Sequence, residues 1–268
     1  MPEPVVEATY YTDPFCPWCW ATEPALRRLD TQFDVPVTFV IAGLAPEVDE
    51  AFARHEVEAT LDAAADSGQP ADARVWLYDP PRSSYPAGIA FHAVAEHADA
   101  APFLRRVREA VYLERRRMDS ADSLLDAIRE VGGPQVDLSS DAHLERFAAD
   151  LEKARAVPEE HRSPKGRAAL PTAHFRNAED GREAWVDGDW QWEKWRDGAL
   201  KAGAQPLGDP LPDVAEAVRR FGSITTAEVA TVTGLPASRA SAELWRLALD
   251  HRVTARRVPG GELWRPAA

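Results

Sequence analysis

The chain has 268 residues, 45% of them hydrophobic, and a formal net charge of −13. That length holds one large or two modest domains with proper cores, and the apolar content excludes a disordered chain. No apolar run approaches a membrane span, so no membrane partner is expected. Lysine occurs only at Lys153, Lys165, Lys194 and Lys201, while arginine and acids are plentiful. Such a surface suits a salt-rich cytoplasm, where screening relieves self-repulsion, and a GC-rich genome enriches the same residues.

Met1-Pro2-Glu3-Pro4 leads into the first apolar run without a basic region or signal segment, and a cytoplasmic location with reduced thiols is expected. The run Val5 to Tyr11 reads as a buried strand, and Trp20 to Phe33 as a helix with Ala25, Leu26, Leu29 and Phe33 at helical spacing. Between them lies Cys16-Pro17-Trp18-Cys19, which holds the chain's two cysteines. A C-x-x-C pair at a strand-to-helix junction suits dithiol redox chemistry. The first thiol meets free N–H groups and the positive end of the helix dipole, which stabilise a thiolate. Pro17 fits the first helical turn without losing a hydrogen bond. A zinc site needs two further ligands, and the seven histidines are scattered without ligand spacing, so no metal is expected. A structural disulfide across so small a loop would gain little.

Val35 to Ala42 reads as a second buried strand, which makes a parallel pair with the first. From about 47 to 160 the pattern is helical, with candidates over Ala51 to Ala65, Ala87 to Ala98, Pro102 to Arg117, Ser120 to Val131 and Asp141 to Ala156. Arg105, Arg106, Arg108, Arg115, Arg116 and Arg117 alternate with apolar residues and read as a solvated helix face. Thr172 to Asn177 and Glu183 to Val186 form a hairpin about Gly181, followed by a helix over Trp190 to Lys201. Trp185, Trp192 and Trp195 read as packing residues.

Residues 204–212 form a proline-rich linker. Beyond it come helices over Val214 to Phe221, Thr225 to Thr233 and Ala237 to His251, then a hairpin from Arg252 to Arg265. Three helices and a hairpin are the layout of a winged helix-turn-helix, placed over 213–268. From Leu211 on, eight arginines face six acids. A balance near +2 is a weak footprint for DNA, with Arg239 and Arg246 the best base-reading candidates. The negative main domain would repel phosphate, which favours a protein contact over DNA.

Residues 5 to 203 resemble the cytosolic branch of the DsbA family of thioredoxin-fold oxidoreductases. The likeness is carried by Asp13-Pro14-Phe15-Cys16-Pro17-Trp18-Cys19, the helical insertion, Ser84-Tyr85-Pro86-Ala87 with Ala90 and Ala93, Leu170-Pro171-Thr172 and the Gly181 hairpin. It implies an α/β thioredoxin fold with a helical insertion over 1–203, followed by the small winged-helix-like domain. The resemblance makes Cys16 the nucleophile, working through mixed disulfides, and Cys19 the resolving thiol. Pro171 becomes the loop proline, expected to follow a cis bond, with Leu170, Thr172 and Trp18 contacting substrate. Asp13 and Glu23 are the nearest carboxylates in sequence, as proton relays or as groups that cap and solvate the helix. No cofactor is implied. Kappa-class glutathione transferases and hydroxychromene carboxylate isomerases of the same branch carry serine at the first position, so Cys16 argues against their activities. The leading expectation is a thiol–disulfide oxidoreductase or isomerase acting on a protein or small-molecule thiol or disulfide. The alternative is a redox-responsive adaptor or transcription regulator that uses the C-terminal domain, since some family members deliver a regulator to a protease and the tail lies outside the usual pattern.

Overall fold

The computed structural model describes residues 5–267; the reading of Met1 to Pro4 falls outside them. Val6–Thr12 forms β1, and its alternate side chains Val6, Ala8 and Tyr10 are buried under the sheet's helices. The expected single helix after the dithiol is two, Pro17–Ala21 (α1) and Glu23–Gln32 (α2), joined at Thr22. Pro24 is the reason. It has no N–H for the Trp20 carbonyl, and its ring crowds that carbonyl. The freed oxygen accepts instead from Gln69 Nε2 at 3.3 Å.

Val37–Ile41 (β2) runs parallel to β1, with Thr12 opposite Ile41. The insertion then supplies Glu50–Ser67 (α3), Arg74–Tyr78 (α4), Tyr85–Ala95 (α5), Ala101–Glu114 (α6), Ala121–Glu130 (α7) and Asp141–Arg155 (α8). The short helix α4 had no periodic signal of its own; Val75 and Trp76 are its buried anchors. The apolar centre of the insertion includes Phe15 and Trp20, so the dithiol turn is built into it.

The expected solvated arginine face holds at Arg115, Arg116 and Arg117, which reach solvent, and is corrected by the structure at the other three. Arg108 is fully buried, and the side chains of Arg105 and Arg106 are each 11% exposed. Carboxylates at the same depth make this possible.

Thr172–Asn177 (β3) pairs antiparallel with β1 and with Glu183–Asp187 (β4), giving the order β2-β1-β3-β4. Trp192–Ala202 (α9) covers this sheet with α2, and Trp195 packs edge-on against Tyr10 and Phe175. Trp185 departs from simple packing. Its half-buried ring stacks with His161 at 4.3 Å and His174 at 3.9 Å, and each imidazole faces a carboxylate, Asp187 or Glu183.

Residues 204–212 carry no helix or named strand, yet the Leu207 amide is fixed to the Gln32 carbonyl at 2.9 Å. Val214–Phe221 (α10), Thr226–Thr233 (α11) and Ala237–Leu249 (α12) follow, with a three-stranded sheet of Ile224–Thr225 (β5), Val253–Val258 (β6) and Gly261–Pro266 (β7) in the order β5-β7-β6. This C-terminal segment has its own apolar centre around Leu244, Leu247 and Trp264. The strand β5 was not anticipated, because two residues carry no period.

Candidate functional site: a buried dithiol

Cys16 caps the N-terminus of α1 and its Sγ accepts from the Cys19 amide at 3.2 Å. Both cysteines are free and buried. The turn before them is held from several directions. Asp13 accepts from the amides of Phe15 (2.9 Å) and Leu44 (2.7 Å) and from Ser84 Oγ (3.0 Å). Tyr112 donates its hydroxyl to the Phe15 carbonyl at 2.6 Å. Arg108 donates to the Thr12 hydroxyl and, at 3.3 Å, to the Asp13 carbonyl.

Electrostatics separate the two sulfurs. Burial pushes the Cys16 thiol well up. Burial acts on Cys19 too, but the hydrogen bond from Cys16, the Arg108 guanidinium, the Thr12 hydroxyl and the Asp13 amide outweigh it and bring Cys19 to about 7. The helix N-terminus meets Cys16 through the Cys19 amide, as the sequence leads one to expect, while the Arg108 charge favours a thiolate on Cys19.

The carboxylates expected as relays are otherwise engaged. The oxygens of Asp13 serve the turn, and burial raises its pKa. Glu23 bonds Arg108 Nη1 at 2.5 Å and Arg105 Nη1 at 3.4 Å; burial opposes its ionised form, but Arg108, Arg105 and Arg27 together hold it below the usual carboxylate range. A carboxyl that sequence reasoning missed is Glu56 of α3. It is buried, its Oε2 has no hydrogen-bond partner among the described residues, and burial, then the Asp13 charge, raise it to about 8. Arg108 was missed as well, although its place four residues from both Leu104 and Tyr112 put it on the apolar stripe of α6.

Leu170–Pro171 is cis. Thr172 stands opposite Tyr11 in β1, so this loop borders the strand end that leads to Cys16. Thr172 is buried and donates to Asp187 Oδ1 at 3.2 Å, while Leu170 and Trp18 are half-buried. Trp20 is core: its Nε1 donates to the Pro70 carbonyl at 2.9 Å and its ring stacks on Tyr112. Among the described residues no group of His, Cys, Asp and Glu could hold a metal, and no helix is long and apolar enough to cross a membrane. A cleft of about 840 Å³ opens where α2, α6 and the C-terminal segment meet, lined by Arg27, Arg105, Arg108, Phe221 and Ser223 among others.

The family model described as thioredoxin matches residues 10–160, and the fold is an α/β thioredoxin fold with added helices. Among solved structures, the cytosolic disulfide reductase DsbM from Pseudomonas aeruginosa superposes with a TM-score of 0.57 at 25% identity, covering 71% of this chain and 95% of its own. Curated relatives point elsewhere. The ClpXP adapter protein SpxH of Bacillus subtilis is 25% identical over 278 residues, 98% of this chain and 90% of its own. That of Halalkalibacterium halodurans is 25% identical over 281 residues, 97% and 88% respectively. Two further relatives bear the same name. These four matches overturn the expectation that thiol–disulfide exchange is the main function, in favour of the alternative, an adaptor.

Proposed function

The chain belongs to the thioredoxin family, and from that premise we propose that it is a redox-responsive protein adaptor that delivers a client protein to a ClpXP-type protease. What carries this reading is the extent of the likeness. The disulfide reductase DsbM covers 71% of the chain, whereas the adapters cover 97–98%, including the C-terminal segment. We read that segment, over 213–268, as a winged-helix-like module joined by 204–212 and used for protein contact. Arg246, a candidate for reading DNA, is paired with Glu243 on its own helix and with Asp250 at that helix's C-terminal cap, which supports protein over DNA. The dithiol, with Cys16, Cys19 and the Pro171 loop, then serves to sense thiol state, with Trp18, Leu170 and Thr172 around it. The similar reductase DsbM is a cytosolic protein, which supports action in the cytoplasm.

The test is genetic and proteomic. Deleting the gene should raise the steady-state level of at least one ClpXP substrate, and restoring the full chain should bring its half-life back. If no ClpXP substrate is stabilised in the deletion strain, the adaptor reading is wrong.

A further inference from the structure

A chain of buried ion pairs runs from the dithiol to the C-terminal segment. Arg108, bonded to the Asp13 carbonyl of the dithiol turn, holds Glu23 Oε1 at 2.5 Å. Arg105 bonds Glu23 Oε2 at 3.4 Å and Glu109 Oε1 at 3.0 Å, and grips both oxygens of Glu228 at 2.5 and 3.0 Å. Arg27 Nε adds a contact to Glu228 Oε1 at 3.0 Å. Glu228 is fully buried and closes the capping box of α11, accepting from the Thr225 amide at 2.6 Å.

The signs of these charges give the network a direction. The thioredoxin body contributes three guanidinium groups, Arg27, Arg105 and Arg108, and two carboxylates, Glu23 and Glu109. Glu228, from the C-terminal segment, supplies the balancing negative charge. A thiolate at Cys19 supplies that same charge from the other end, so Glu228 becomes a surplus anion in a poorly solvated seam.

We propose that the thiol state of Cys16–Cys19 and the docking of the C-terminal segment are one coupled equilibrium: the disulfide tightens docking through Glu228, and the negatively charged, singly ionised dithiol loosens it. This rests on the redox-responsive adaptor reading and names its regulation. The oxidant is a disulfide of the glutathione class. One thiol of the pair forms a mixed disulfide and expels one glutathione thiolate; the other then attacks the bound sulfur and expels the second glutathione. Two electrons pass to glutathione, the protein's S–S bond replaces the glutathione S–S bond, and the pair loses its negative charge.

The effect is reciprocal, so weakening Glu228 must change the dithiol. In the full chain equilibrated with glutathione buffers at pH 8, Glu228→Gln should shift the equilibrium constant towards the dithiol by about fivefold or more, the lower end of the usual range of coupling between sites. Glu228→Asp, which keeps the charge, should recover much of the shift. A purely structural role would leave the constant unmoved, and an unmoved constant overturns the proposal. If Glu228→Gln does not fold, the unaltered protein decides: amides of α11 should exchange faster in the dithiol than in the disulfide form at pH 8. Equal rates, or the reverse order, overturn it. Coupling without any stabilised ClpXP substrate in the deletion strain would sink the adaptor reading alone; restored delivery with no coupling would sink this inference alone.

Discussion

Arg28 of α2 donates through Nη1 to the Val232 carbonyl at 3.3 Å, across 204 residues of sequence. The same nitrogen serves the Thr231 carbonyl, so the negative end of α11 meets a cation supplied by the body. Glu228 and Thr225 secure the other end of this helix. Arg28→Ala should therefore destabilise the chain by roughly 1–2 kcal/mol in urea unfolding, the scale of a charged partner at a partly buried helix terminus. A change within error of zero would mean that solvent replaces the guanidinium at no cost.

Gln69 bridges the dithiol helix and the C-terminal segment. Its amide nitrogen donates to the Trp20 carbonyl, and its oxygen accepts from Thr225 Oγ1 at 2.5 Å. Gln69→Ala strands both buried groups at once. A loss of about 1–3 kcal/mol is expected. Calorimetry should show a lower midpoint; an unchanged midpoint would refute the bridge.

Glu56 gives a pH dependence of opposite sign to most carboxylates. Its folded pKa, about 8, lies above the value of about 4.3 for an unfolded glutamate. The unfolded chain releases this proton first, so the stability present below about pH 4.3 is lost as pH rises towards 8. Glu56→Gln should abolish that loss and exceed the parent's stability at pH 8.5 by roughly 1–3 kcal/mol, with a smaller gap at pH 5.5. A gap that does not widen with pH would dispose of the claim.

The Cys19 thiol, held at about 7, behaves in the reverse sense. Its folded pKa lies below that of a free thiol, near 8.5. The reduced chain thus gains stability as pH climbs from 7 to about 8.5 and forfeits it on acidification. Thiolate absorbance of the reduced pair should show a midpoint near 7, and Arg108→Met should raise it by a unit or more, because the guanidinium opposite the sulfur is gone. A midpoint indifferent to that substitution would show that the helix terminus alone sets the charge.

The apolar runs of β1, β2 and β3, the C-x-x-C turn and the capping signal at Thr225 could be read from local pattern, because each is decided within a few residues. The break at Thr22 was available too, since Pro24 stands one turn inside the expected helix. The roles of Arg105, Arg108 and Glu56 were not. A charged residue on an amphipathic helix reads as solvated unless its partner is known, and Arg105's partner Glu228 is 123 residues away. Function is hard to read from the sequence for a related reason. The dithiol is a compact signal that dominates the reading, whereas the residues joining it to the C-terminal segment are scattered along the chain.

Glu228 reaches the ribosome exit long after Arg27 and Arg105 have taken their places. At about 5–20 residues per second the delay is several seconds or more, during which the buried cluster of the nascent body lacks one balancing negative charge. The newly made chain passes through a vulnerable interval that closes only when its final helices arrive. A message truncated before codon 228 should therefore yield a product that is cleared by proteolysis instead of accumulating as a free-standing thioredoxin unit.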